Sequence, residues 1–392
     1  MHLVDTTLFY SPTSGGVRRY LNAKHEWLNR HSGWRHSLLV PGDRTELRPG
    51  EVSTIAGRIV PGTFNYRLPL RPSAWTRALE ALQPDLIEAG DVFHPAWCAA
   101  GVARRRGIPV VAVFHSHLPQ LVGRRLGSQT ESLASRYVRL IYDRMDLVMA
   151  PSRLMCDYLR DLGIRRTAVQ PLGVDSCVFS PLRRRLDLRA RLGLPEHVRL
   201  LAYAGRFSGE KNIPVLLQAF ATLGRDYHLL MIGGGRHEQP AANVTVTPYC
   251  RDSEELAGWL ASADALVHAG TSETFGLVIV EAMACGRPVV GVQAGAVPEI
   301  VDEKVGQLAP AASGAQLAQA IRDLYDRDIE ALGRAARERV LHRYTWARAF
   351  QQQMNCYANL SGVAPARVDS AVQLEQLQPP ARLRHGQVAP VR

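Results

Sequence analysis

Seven short apolar runs constrain the fold more than any other feature of this 392-residue chain. LLVPG, DLIEAG, VVAVFHSH and LVMAPS fall in the first half, and LLAYAGRF, HLLMIGGG and ALVHAG in the second. Each is short and mainly apolar rather than alternating, as in a strand covered on both faces of a parallel sheet. The stretches between them are long enough for crossover helices, so two doubly wound α/β units are expected. The length agrees, since a single core rarely grows past about 250 to 300 residues.

These boundaries follow from composition. Residues 1–180 form the first Rossmann-like unit, and the Arg-rich passage from Ser180 to Arg191 the linker. Residues 181–345 form the second, 346–360 carry on a helical stretch that ends in RYTWARAFQQQMNCYANL, and 361–392 form a loosely ordered tail rich in Pro, Gln and Arg. No apolar run reaches the roughly 20 residues of a membrane span. MHLVDTTLFY lacks the basic and apolar regions of a secretory signal. Six cysteines without a C-x-x-C pair fit a reducing cytosol better than a disulfide framework or zinc knuckle.

The net charge of +11 is uneven: residues 1–180 hold 23 Lys and Arg against 15 Asp and Glu. Such a surplus suits an anionic partner, a membrane surface or nucleic acid. The segment RLPLRPSAWTRALEAL, residues 67–82, carries Arg67, Arg71 and Arg77 beside Leu68, Leu70, Trp75 and Leu79 and is the candidate for lying on an anionic leaflet.

Chemistry concentrates in HAGTSETFGLVIVEAMACGRPVVG, residues 268–291. A strand, a polar turn with Ser272 and Thr274 as possible caps, and a buried helix make a diphosphate site, because free N–H groups and the helix dipole face the anion. Glu273 lies in the turn and Glu281 eight residues on, roughly 12 Å further along the axis. In LLAYAGRFSGEKN, residues 200–212, Arg206 and Lys211 follow a buried strand, and only three lysines occur in the chain against 44 arginines. Two cations there would stabilise a leaving diphosphate. Gly15 and Gly16, between the first strand and a helix, let backbone approach a ligand. His115 and His117 close the VVAVFHSH strand at its carboxyl end, where open α/β sheets bind ligands. No G-x-G-x-x-G stands at the required place, which excludes a nicotinamide dehydrogenase, and no D-x-D or His/Cys cluster offers a metal.

Together these passages resemble the family 4 retaining glycosyltransferases of the GT-B fold, in order along residues 1–350. The resemblance rests on Gly15-Gly16, F-H at His115, P-x-G-V-D at 171–175, G-R with K-N at 205–212, and E-x7-E from Glu273 to Glu281. It implies two facing Rossmann-like domains with a cleft between them, the first for acceptor and the second for donor. It also implies that Arg206 and Lys211 bind the diphosphate, that Glu273 with the backbone of Phe275, Gly276 and Leu277 holds sugar and phosphate, and that Glu281 takes the ribose. His115 would contact the sugar near its 6-hydroxyl, and Gly16 the diphosphate. Neither metal nor cofactor is implied, the nucleotide diphosphate sugar being a co-substrate.

The acceptor would be lipid-linked or a polysaccharide, met at the cytoplasmic membrane face, which sets nucleic acid aside as a partner. FHSHLP resembles a stretch of some mannosyl and sulfoquinovosyl transferases and favours GDP-mannose, with a UDP-hexose the other option. Two features depart from the family: His268-Ala269 where an apolar-Pro-Ser turn is usual, and the triple glycine after HLLMI. Neither is expected to touch the chemistry. A GT-B-like epimerase or phosphorylase, or a silent binding module, are the competing readings.

Overall fold

The computed structural model describes residues 1–10, 16–61, 66–69, 71–115, 117–234, 241–248, 250 and 252–362. Gly15, Leu70 and the tail from 363 lie outside them. The described residues form two wholly parallel main sheets. In the first, seven strands run in the order Val52–Ala56, Arg35–Gly42, His2–Thr6, Leu86–Ala89, Val110–Val113, Leu147–Ala150, Thr167–Val169. In the second, six run Val244–Thr247, Tyr227–Ile232, Arg199–Ala204, Ala265–Val267, Val289–Val292, Gly306–Ala309. Both orders reverse beside the first strand of the unit, and a crevice opens outside the strand ends at such a point. The apolar runs are buried along nearly their whole length, as covered parallel strands require.

Helix Trp346–Ser361 packs on the first sheet although it follows the second, placing Phe350, Met354 and Tyr357 in one core with Leu3, Val111 and Met149. A buried charged network anchors it. Lys24 Nζ lies 2.8 Å from Asp5 and 2.8 Å from Glu88, Tyr357 donates to Glu88, and Gln353 Nε2 donates to Glu88 at 3.1 Å. Burial and the neighbouring Asp5 push the Glu88 carboxyl up to about 7. Burial would raise Asp5 as well, yet the Lys24 charge holds it low. One lysine shared by two carboxylates resolves as one ionised and one readily protonated.

Where the chain first crosses between sheets, Val174 N donates to Tyr344 O at 2.8 Å and Trp346 N to Val174 O at 3.3 Å. This bridge explains P-x-G-V-D: a Cβ on Gly173 would stand 2.7 Å from the Trp346 backbone, so glycine alone allows the approach. Asp175 Oδ1 then accepts from the N–H groups of Cys177 and Val178, closing the turn.

Residues 67–82 depart from the membrane expectation. Helix Pro72–Leu82 turns Trp75 and Leu79 fully into the core, and the Trp75 indole donates to Thr6 Oγ1 at 2.6 Å. Trp75, Leu79 and Leu82 at helical spacing are the stripe that seals the sheet. Arg71 and Arg77 remain exposed.

Candidate functional site

Helix Leu277–Ala284 begins where the strand Ala265–Val267 and its polar turn end. Its cap is Gly276 at φ +99°, not Ser272 or Thr274, and no side chain caps it. The first N–H groups of the helix therefore have no intrahelical acceptor and face the crevice with the positive end of the dipole. Gly16, the first residue of helix Gly16–His31, lies across the crevice: a Cβ there would be 3.9 Å from Leu277. Phe275 turns into the core against Tyr344, fixing the backbone that presents Gly276 and Leu277.

Glu273 sits just before this helix end, only 13% exposed at its side chain. Its Oε1 accepts from Lys211 Nζ and lies 3.0 Å from His268 Nε2. Burial alone would raise the carboxyl; the neighbouring His268, followed by Lys211, brings it down to about 2. Glu273 is thus an ionised carboxylate at any physiological pH. His268 corrects the expectation that the HA departure leaves the chemistry untouched. Loop contacts fix the turn: Asn212 Nδ2 donates to Ala269 O at 2.9 Å, and Ala296 N to Glu273 O at 2.9 Å. Gly295 passes so close that a Cβ would meet the Glu273 backbone at 2.9 Å.

Arg206 stays apart from this cluster. Its side chain is 68% exposed and its guanidinium is 3.5 Å from Glu210, leaving it at the crevice rim beside Lys211. Gly233 packs behind it: a Cβ there would fall on Gly205 O, so the loops after two adjacent strands nest backbone to backbone.

Glu281 is 4% exposed, and Arg19 from the opposite sheet reaches it at 2.9 Å. Burial raises this carboxyl, and the Arg19 charge and hydrogen bond oppose the rise. Arg19 was not singled out in the sequence, because nothing in GGVRRY marks it above Arg18. Two further contacts span the crevice. Arg124 donates to Ser272 Oγ, and the Glu299 carboxylate accepts from the N–H groups of Arg153 and Leu154 at 2.8 Å each, at the start of helix Arg153–Asp161.

His115 stands on the first sheet's side, its ring edge-on to Tyr20 at 5.2 Å and its Nε2 buried without a hydrogen-bond partner. Burial, aided by the Lys24 charge, pushes it down to about 4, so it is neutral at pH 7. It lines a cavity of about 20 Å³ with Phe9, Asp91 and Tyr142, room for roughly one water. His117 is structural: its Nδ1 accepts from Gln120 N at 3.1 Å and caps the next helix. Among the described residues, no group of three His, Cys, Asp or Glu side chains is placed to hold a metal.

Two facing parallel sheets, with a helix N-terminus and paired acidic and basic side chains in the crevice, define a glycosyltransferase of the GT-B class. The structure superposes on sucrose-phosphate synthase from Thermosynechococcus elongatus with a TM-score of 0.75 at 23% identity, over 92% of this chain and 99% of that one. It also superposes on the Anabaena protein HepE in complex with UDP and glucose, with a TM-score of 0.71 at 20% identity over 91% and 99%. The Glycosyltransferase Family 4 profile matches residues 14–176, and the Glycosyl transferases group 1 profile residues 198–327. The chain is 33% identical to the GDP-mannose-dependent alpha-(1-6)-phosphatidylinositol dimannoside mannosyltransferase of Mycobacterium tuberculosis, over 89% of this chain and 94% of that one. It is 29% identical to the sulfoquinovosyl transferase SQD2 of Arabidopsis thaliana, over 75% and 61%. The chain belongs to glycosyltransferase family 4.

Among the described residues, no helix is long and apolar enough to cross a membrane.

Proposed function

We propose that this enzyme moves a mannosyl group from GDP-mannose to a lipid-linked acceptor with retention of configuration, and without a metal. The observation that carries the reading is the ionised Glu273, held by Lys211 and His268 beside a free helix N-terminus. A diphosphate at that terminus has Lys211 on its flank and Arg206 at the rim, both placed to offset the charge that grows as it leaves. Glu273 then faces the sugar carbon as it gains oxocarbenium character, and Glu281 takes the ribose hydroxyls. The neutral His115, with its unpaired Nε2, is suited to a sugar hydroxyl on the acceptor side.

The donor and the anomer are argued from the relatives. The mycobacterial relative is GDP-mannose-dependent and makes an alpha linkage. GDP-mannose carries its sugar in the same configuration, so transfer of that kind is retaining. Acceptor binding falls to the first sheet and its Arg surplus, at the cytoplasmic face of the membrane.

Thermal melting with GDP, UDP and ADP tests the donor, because a ligand at a hundred times its Kd adds about 2.7 kcal/mol. GDP should shift the melt most. A shift by UDP alone would replace the mannosyl donor with a UDP-hexose, and an inverted product anomer by NMR would overturn retention.

A further inference from the structure

We infer that the helical hairpin of residues 118–142 is the surface on which this enzyme docks to an anionic lipid bilayer. Helices Leu118–Leu126 and Ser128–Tyr142 pack side by side and turn at Gly127, which has φ +92°. Of the ten exposed large apolar side chains among the described residues, four belong to this hairpin: Leu121 at 48%, Leu126 at 70%, Leu133 at 63% and Leu140 at 51%. Leu133 and Leu140 share one helix face with Arg136, at spacings of three and four. Leu126, the most exposed of the four, ends the first helix beside the Gly127 turn.

Charge selects the partner. The hairpin carries four arginines and one acid, Glu131. That acid is folded into the seam between the helices, where a Cβ on Gly123 would meet its carboxylate at 2.4 Å. Arg136 is exposed on the face of Leu133 and Leu140, and Arg139, also exposed, pairs with Asp143 at 3.6 Å. Exposed leucines interspersed with arginines match an interface of acyl chains and anionic headgroups.

Position ties this surface to the site. The hairpin leaves the strand end that bears His115, is capped by His117, and reaches Ser272, next to Glu273, through Arg124. A bilayer against it lies at the mouth of the crevice, where an acceptor held by a lipid anchor would enter. The assignment rests on the reading of the acceptor as lipid-linked. It moves the membrane contact away from residues 67–82, whose Trp75 and Leu79 belong to the core.

Sedimentation of the full chain with vesicles tests it, using phosphatidylcholine with and without phosphatidylglycerol at low salt. The wild type should bind the anionic vesicles and leave them as salt rises. Leu126→Asp with Leu133→Asp, and separately Arg136→Gln with Arg139→Gln, should weaken binding by about tenfold or more. Arg71→Gln with Arg77→Gln should bind as wild type, and all variants should keep the wild-type melting response to GDP. Hairpin variants that bind as wild type while the Arg71 and Arg77 variant lets go would overturn the assignment and leave membrane association standing. A wild type that ignores anionic vesicles would overturn both. Unchanged vesicle binding with loss of a wild-type dimer would give the face to a second copy of the chain and overturn the lipid assignment. Failure of the donor test alone would strike the transfer reading and not this one.

Discussion

Arg19 and Glu281 meet at 2.9 Å across the crevice, joining a half-exposed guanidinium of the first sheet's side to a buried carboxylate of the second. The buried acid that would bind the donor ribose therefore has its burial opposed by a charge from the facing domain. Arg19→Gln removes that support, and Glu281, already raised by burial, rises further. Its ionised fraction then falls at a higher pH than in the wild type. Donor KM should increase about tenfold near neutral pH, roughly the loss of one charge-assisted hydrogen bond, and more at acid pH, with kcat little changed. Arg19→Lys should restore part of it. Parallel KM profiles against pH for wild type and Arg19→Gln would sink the pairing as a functional one.

Glu273→Gln and Lys211→Ala should each lower kcat about a hundredfold, since both groups act most strongly once the diphosphate begins to leave. Glu281→Ala should instead raise donor KM, because ribose contacts are equal in ground and transition states. Steady-state kinetics at varied donor separates these effects. The reverse pattern, with Glu281→Ala silencing kcat and Glu273→Gln nearly neutral, would exchange the roles.

His268→Asn removes the strongest influence that lowers Glu273, so its carboxyl should titrate at a higher pH than its native position near 2. Activity is retained above the shifted value and lost as pH falls through it. The acid limb of kcat/KM should consequently move upward in the variant. An unmoved limb would show that Lys211 alone keeps Glu273 ionised.

EDTA should leave turnover unchanged, since the charge on the leaving diphosphate is assigned to Lys211 and Arg206 rather than to a divalent ion. Activity lost on chelation and restored by manganese would contradict that assignment.

Lys24→Met should destabilise the fold by about 3 to 5 kcal/mol, because it strands Asp5 and Glu88 in the core without their shared cation. Denaturant melts report this directly. The loss should shrink as pH falls, since Glu88, raised to about 7 with Lys24 present and higher without it, takes up a proton and removes one of the two uncompensated charges.

Seven of the thirteen main-sheet strands were legible as short, mainly apolar runs. Glu273 and Glu281 were legible because local spacing places them around one strand-to-helix turn, and Lys211 because it follows another buried strand in a chain with only three lysines. What local spacing could not carry was long-range pairing. Arg19 and Glu281 are 262 positions apart, and neither Arg18 nor Arg19 is distinguished by its neighbours. His268 was visible as an oddity, yet the direction of a side chain at a strand end depends on the loops packed over it, here those of Asn212 and Ala296. Trp75 misled for a different reason: an amphipathic helix on a sheet and one on a membrane share a pattern, and only the presence of the sheet decides. Gly276 rather than Ser272 caps helix Leu277–Ala284 because the turn enters it in a left-handed conformation.

The bridge between Val174 and residues 344–346 has a mechanical consequence. The chain passes from the first unit to the second near Val174 and returns near Thr345, so the two crossings lie side by side, stitched by main-chain hydrogen bonds. A paired joint of this kind resists twisting and sliding, which would shear those bonds, and yields most readily to bending along one line. The enzyme should open like a book along a spine. The contacts of Arg19, Arg124 and Glu299 lie across the opening between its covers, and they must part each time nucleotide leaves.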